Sequence, residues 1–198
     1  MSRKIVLASS NTGKVREFNE LLAGSAIEVV PQTVYGVPDI EETGLSFVEN
    51  AILKARNAAQ HTGLPAIADD SGLEVDALDG APGIYSARYA GEGASDEDNL
   101  LKLLDALKDA ADAERGARFQ CLMVYMRHGA DPTPHIVQGS WEGSILRAPR
   151  GDNGFGYDPV FYVPEQDCSS AQLAPEVKNR LSHRGQALSR LIALLRNA

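Results

Sequence analysis

Pro65-Ala66-Ile67-Ala68-Asp69-Asp70-Ser71-Gly72-Leu73-Glu74-Val75 is the stretch from which the fold reads outward. A short apolar run, bounded by Pro65, delivers two adjacent carboxylates and a hydroxyl to what the pattern predicts is a glycine turn. Leu73-Glu74-Val75 leaves it with the period-two alternation of a half-buried strand. Neighbouring strand residues point to opposite faces, so Asp69 and Asp70 are expected to do different jobs. Two readings stand side by side. Asp and Ser can hold a turn through their own backbone, or paired acids at a strand end can serve a divalent metal, an activated water, or both.

The rest of the chain bounds the choice. Its 198 residues suffice for a substantial core without staples, and 43% hydrophobic with 23% charged residues is ordinary for a globular protein. No apolar run approaches a membrane span, and the first strand-length run is too short for a signal-peptide core. Cys121 and Cys168 lack metal or redox spacing, which points to free thiols in a reducing cytoplasm. A net charge of −8 argues against a general nucleic-acid or anionic-membrane binder. A polyanion would need a local basic pocket or a bridging cation.

Ile5-Val6-Leu7-Ala8 reads as a buried strand, and Val15, Phe18, Leu21 and Leu22 fall at helical spacing. The polar loop Ser9-Ser10-Asn11-Thr12-Gly13-Lys14 therefore lies between a strand and a helix N-terminus. Free N–H groups and the positive dipole end suit an anion there, and helix capping by Ser or Asn is the competing reading. The Walker A pattern is absent.

Ile27–Val30 reads as a second strand. Ser46-Phe47-Val48-Glu49 matches a capping box ahead of an apolar stripe from Phe47 to Ala59. Lys54, on the polar face with Asn50 and Asn57, reads as a solvated lysine. Glu41-Glu42 precede this helix, where carboxylates are favoured with or without a metal. Residues 79–93, with four glycines and two tyrosines, form a long loop that suits function or an interface.

Ser95 and Asp98 cap a further helix. Residues 109–116 read as a solvated helix end and loop, 119–126 as a central strand, and 135–146 as a strand broken by Gly139 and Gly143. Strands and helices alternate without a strict βαβ rhythm, which predicts an α/β fold with a mixed sheet flanked by helices.

Two late clusters complete the chemistry. Gly154-Phe155-Gly156-Tyr157-Asp158 presents aromatics and an acid on a glycine-rich loop; a ring so held can stack on a base, and a carboxylate can read base N–H groups. Lys178 precedes Ser182-His183-Arg184, where Ser182 caps the last helix and a basic pair occupies a first turn whose dipole disfavours cations. Such a misfit marks a site for an anionic or electron-rich ligand.

Ser9-x-Asn11-x-x-Lys14, Asp69-Asp70-Ser71-Gly72-Leu73, Gly80-x-Pro82-Gly83, Phe155-Gly156-Tyr157-Asp158 and Ser182-His183-Arg184 occur in the order seen in the inosine/xanthosine triphosphate pyrophosphatase family. The chain resembles a bacterial member of the RdgB type from Ile5 to its last helix, with Ser10 where many relatives carry glycine. The resemblance implies an elongated single domain over residues 1–198, with two lobes and an active-site cleft between them. It implies Mg²⁺-dependent hydrolysis of ITP, dITP, XTP and dXTP to the monophosphate and pyrophosphate, in a cytoplasmic homodimer with residues 79–93 as a candidate interface.

By the same resemblance Asp70 is the general base and a metal ligand, and Glu41 a second metal ligand. Ser9, Ser10, Asn11, Thr12, Gly13 and Lys14 would hold the phosphates, and Ser71 would add a substrate contact. Phe155 would stack on the purine, with Gly156 and Tyr157 as further substrate-binding residues, while Asp158, Lys178, His183 and Arg184 surround its edge. A pyrophosphatase for modified pyrimidine nucleotides and a non-catalytic nucleotide-binding regulator are the competing functions. The base-side motifs argue against the first, and intact Asp70, Glu41 and Lys14 against the second.

Overall fold

The Asp-Asp-Ser-Gly stretch does not turn. In the computed structural model, which describes residues 3–24 and 26–196 without the side chains of Thr12, Glu17, Leu21 and Arg196, Ala66–Val75 is one continuous ten-residue strand, β3. Asp and Gly are poor strand formers in isolation, but strand preference yields to burial and to partners on each face. Here Asp69 and Asp70 are both buried.

The strands β1 (Arg3–Leu7), β2 (Ile27–Pro31), β3, β4 (Gly116–Met126), β5 (His135–Ile145), β6 (Phe161–Val163) and β7 (Cys168–Ser169) form one sheet in the order β2-β1-β3-β4-β5-β6-β7. β1 runs parallel to β2, with Ile5 opposite Val29, and parallel to β3, with Val6 opposite Ala66. β6 runs antiparallel to β5 and to β7, so the sheet is mixed as expected. The helices are α1 (Thr12–Leu21), α2 (Phe47–Thr62), α3 (Asp96–Ala106), α4 (Pro175–Leu181) and α5 (His183–Arg196). Among the described residues no helix is long and apolar enough to cross a membrane.

The chain divides into two compact units, one of Met1–Asp70, Cys121–Gly139 and Arg184–Ala198, the other of Ser71–Gln120 and Ser140–His183. In the first unit, strand alternation sorts two buried clusters. Ile5, Leu7 and Ile67 pack with Phe18 of α1 and Leu188 and Leu191 of α5. Val6, Ala8, Ala66 and Ala68 pack with Ala51, Ala55 and Ala58 of α2. Period two then carries Asp69 to the face of Ile67 and Asp70 to the face of Ala68. The alanine-on-alanine packing lets α2 lie close to the strand and brings its polar edge to Asp70.

In the second unit Leu73, Leu100, Leu103, Phe119, Trp141 and Phe161 share a core, with the Phe119 and Phe161 rings 4.6 Å apart. β5 runs unbroken through Gly139 and Gly143. Gly143 serves packing: a Cβ there would come within 2.6 Å of the Phe161 ring and against the Tyr162 carbonyl. The tract expected to be loose before β4 is pinned as well. Buried Arg115 donates to the carbonyls of Leu107, Ile145 and Leu146 at 2.6, 2.7 and 2.9 Å, using the guanidinium fork as a backbone clamp. The 79–93 segment also carries structure of its own, a 3-10 helix over Gly83–Arg88.

Candidate active site

The first unit assembles two cation–carboxylate sets around adjacent residues of β3. On the α1/α5 face, Lys14 Nζ lies 2.9 Å from Asp69 Oδ2 and Arg184 Nε 3.4 Å from the same oxygen. Burial alone would raise the Asp69 carboxyl, yet the Lys14 and Arg184 cations, with Lys54 behind them, outweigh it and hold the group well below the usual carboxylate range. Arg184, expected at the edge of a base, is 4% exposed and engages Asp69. The first-turn misfit noted for the last helix is thus met by a buried carboxylate.

On the α2 face, Lys54 Nζ bridges Asp70 Oδ1 at 2.8 Å and Glu42 Oε1 at 2.9 Å. Lys54 is therefore not the solvated lysine its position on the polar stripe suggests; its side chain is 14% exposed. Buried Asn50 adds Nδ2 to Asp70 Oδ2 at 3.4 Å, and its Oδ1 accepts the Gly44 N–H at 2.8 Å, tying the Glu41–Gly44 segment to α2. Gly44 must be glycine here, because a Cβ would sit 2.7 Å from Asn50 Oδ1. Burial pushes the Asp70 carboxyl above its ordinary value; Lys54 pulls it down and Glu42 pushes it up again. Lys54 is opposed by its own burial, but Asp70, Asp69 and Glu42 together raise it, so it stays charged. Lys54 and Asn50 stand seven and three residues into α2, and the helical pattern alone assigns them to solvent.

In the loop after β1, Asn11 is the N-cap of α1, its Oδ1 accepting the Lys14 N–H at 3.1 Å. The Asn11 N–H donates to Ser9 Oγ at 3.2 Å. Ser10 is exposed, Gly13 and Ser9 are half-buried, and the side chain of Thr12 lies outside the described residues. Of the acidic pair ahead of α2, Glu42 reaches Lys54 while Glu41 is exposed. Ser71 follows Asp70 on β3, half-buried.

The second unit holds the aromatic set. Asp158 is 4% exposed and accepts three hydrogen bonds: from Ser170 Oγ at 2.8 Å, Lys178 Nζ at 2.7 Å and the Phe155 N–H at 2.9 Å. Gly154, at φ +83°, passes so close that any Cβ would strike the Asp158 carboxylate. Asp158 thus anchors the loop. The Phe155 ring stays 40% exposed, with Lys178 Nζ 5.2 Å from its centroid. Tyr157 goes inward instead, its hydroxyl donating to the Ser86 carbonyl at 2.8 Å. His183 stacks on Phe119 at 4.8 Å and 12°. Phe155, Asp158 and Lys178 therefore come together, while Tyr157 and His183 belong to the packing around them.

Chemically, the first unit offers a lysine held at a helix N-terminus by a buried carboxylate, and a second buried carboxyl of raised pKa held by an ammonium. Those are the parts for anion binding and for deprotonating or orienting water. The second unit offers an exposed ring with a cationic donor over it, the parts for stacking and reading an electron-rich base.

The profile of the Ham1 family matches residues 5–194. The chain is 63% identical over 189 residues to the dITP/XTP pyrophosphatase of Vibrio cholerae serotype O1, covering 96% of this chain and 94% of that protein. It is 60% identical over 196 residues to the dITP/XTP pyrophosphatase of Photorhabdus laumondii, covering 99% and 100%. Among solved structures, the HAM1 protein from Coxiella burnetii matches with a TM-score of 0.93 at 55% identity, covering 99% of this chain and 100% of that one. The Ham1 protein of Staphylococcus aureus matches with a TM-score of 0.87 at 45% identity, covering 98% and 99%.

Proposed function

The chain belongs to the Ham1 family, and from that membership we propose that it hydrolyses non-standard purine nucleoside triphosphates (ITP, dITP, XTP and dXTP) to the monophosphate and pyrophosphate. Such an enzyme keeps these nucleotides out of nucleic acids. The substrate class is supported by relatives named dITP/XTP pyrophosphatase over nearly the whole chain. The observation that carries the chemistry is Asp70, a buried carboxyl raised by its surroundings and aimed by Lys54 and Asn50.

In this reading Asp70 accepts a proton from, or orients, the attacking water. Burial moves it toward the range where a carboxylate is an effective base. Lys14 and the N–H groups of the Ser9–Gly13 loop hold phosphate oxygens. Asp69, kept ionised, holds Lys14 in place. Phe155 stacks on the purine. Lys178 donates to a 6-oxo group, whereas the 6-amino group of adenine would leave that donor unpaired, which costs more than a lost contact.

Mg²⁺ fits the donor set. Among the described residues no three His, Cys, Asp or Glu side chains converge. Mg²⁺ however takes one or two carboxylates and completes its shell with phosphates and waters. The Lys54 ammonium between Asp70 and Glu42 already marks a position where positive charge is favoured. Asp70 with the Glu41-Glu42 pair would hold the ion, which would offset charge on the phosphates. We further propose a cytoplasmic homodimer, a setting consistent with two free cysteines. The test is Asp70→Asn assayed for pyrophosphate release from ITP, with nucleotide binding measured in parallel. Lost turnover with retained binding supports the role; unchanged kcat removes Asp70 from the mechanism.

A further inference from the structure

The first turn of α3 does two separate things. Ser95 and Asp98 cap the helix reciprocally, with Asp98 Oδ2 accepting the Ser95 N–H at 2.9 Å and the Ser95 hydroxyl at 2.6 Å. The neighbouring Asp96 is left out of that box. Its Oδ2 accepts instead the N–H of Gly156 at 2.8 Å, sixty residues away in sequence. The N–H immediately before it, that of Phe155, goes to Asp158.

Two consecutive amides flanking the exposed ring are thus each tied to a different carboxylate. Asp158 is buried, whereas Asp96 is exposed. Gly156 sits at φ +59°, a left-handed conformation that glycine adopts without strain. The same helix pins a second segment: Asn99 accepts the Ala90 N–H at 2.7 Å and donates to the Ala87 carbonyl at 3.2 Å. α3 is therefore the element on which these loops are registered.

We infer that Asp96 is a positioning residue for base recognition, fixing the Phe155 ring through the Gly156 amide and so contributing to the preference for 6-oxopurines; this rests on the reading of Phe155 as the base-stacking ring. An exposed tether on a ring-bearing loop does not hold up the core. Its loss lets the ring reorient, which weakens ground-state and transition-state binding alike and leaves the chemical step intact.

The experiment measures steady-state pyrophosphate release from ITP and ATP for Asp96→Ala, Asp96→Asn and Glu97→Gln, each alone and with Phe155→Ala, together with melting temperatures. Glu97 is an exposed acid of the same turn, so its substitution removes the same helix-dipole interaction without the tether. Asp96→Ala should raise KM for ITP about tenfold with kcat within about twofold, the scale of one charge-assisted hydrogen bond. It should also narrow the ITP-to-ATP preference.

Asp96→Asn, which keeps an acceptor oxygen, should recover most of the loss, and Glu97→Gln should change neither constant. In the Phe155→Ala background Asp96→Ala should add nothing. Equal effects of Asp96→Ala and Glu97→Gln, or losses at Asp96 and Phe155 that simply multiply, would overturn the inference. If Phe155→Ala raises KM and Asp96→Ala does not, Asp96 alone fails. If Phe155→Ala leaves KM for ITP unchanged, the stacking reading fails, and this inference with it.

Discussion

Replacing Asp69 by Asn removes one charge from the first unit and leaves two cations facing it. The Asp69 side chain is fully buried, Arg184 is 5% exposed, and Lys14 is 18% exposed. Breaking a buried ion pair by deleting one partner costs about 3–5 kcal/mol, because the remaining charge is uncompensated. Lys14 can relax toward water, whereas Arg184 cannot, so a loss of about 4 kcal/mol is expected at neutral pH. For a chain of this length each kcal/mol moves Tm by roughly 2–4 °C, giving a drop of about 10 °C.

The pH dependence gives the effect a signature. Because the folded pKa of Asp69 lies below its unfolded value, its contribution is present in full above the ordinary carboxylate value of 3.8 and is lost as the pH falls through the depressed folded value. The gap between wild type and Asp69→Asn should therefore be flat from neutral pH down to about 4 and close only in stronger acid. Urea unfolding at a series of pH values reads this directly. A variant as stable as wild type at pH 7, or a gap that closes already between pH 7 and 5, would refute the buried-pair reading of Asp69.

The neighbouring residue should behave in the opposite way. Asp70→Asn is expected to abolish turnover while leaving Tm within a few degrees, since a raised carboxyl pKa means that its ionisation does not stabilise the fold; a large drop in Tm would contradict this. Lys54→Met removes the group that pulls the Asp70 carboxyl down, leaving burial and Glu42 to push it up. The acid limb of kcat/KM should then move to higher pH, and a pH–rate profile superimposable on wild type would rule Lys54 out. Arg184→Ala should lower Tm and reduce kcat/KM for ITP and ATP by the same factor, because its guanidinium is engaged by Asp69; a loss confined to ITP would place it at the base instead. Gly143→Ala should cost about 1–3 kcal/mol of stability by pushing a methyl into the Phe161 ring, without altering KM, as thermal unfolding and steady-state kinetics can check.

Much of this architecture is legible in the sequence because apolar periodicity survives into the fold. The strands at Ile5 and Ile27, the capped helices after Ser46 and Ser95, and the mixed α/β character all follow from local pattern. The alternation rule also sends Asp69 and Asp70 to opposite faces, where they meet different cations, while the glycine turn expected after them is absent, since β3 continues to Val75. Asp and Gly look like turn residues until Lys14, Arg184, Lys54 and Asn50 arrive from distant segments to satisfy them within a strand. The same blindness to long-range partners made Lys54 look solvated. Gly139 and Gly143 read as strand breaks because local propensity does not show that Phe161 needs the space over Gly143. Tyr157 and Phe155, indistinguishable as loop aromatics, part company only when the Ser86 carbonyl captures the tyrosine hydroxyl.

Pyrophosphate release from ITP, XTP and dITP, set against ATP, GTP and dTTP with and without Mg²⁺, bears most directly on the proposed activity. Strong Mg²⁺-dependent turnover confined to the hypoxanthine and xanthine nucleotides, and absent in Asp70→Asn, is the expected result. Comparable turnover of ATP or dTTP would contradict the assignment of base recognition to Phe155 and Lys178, and turnover surviving in Asp70→Asn would contradict the assignment of the reaction to the buried carboxyl on β3.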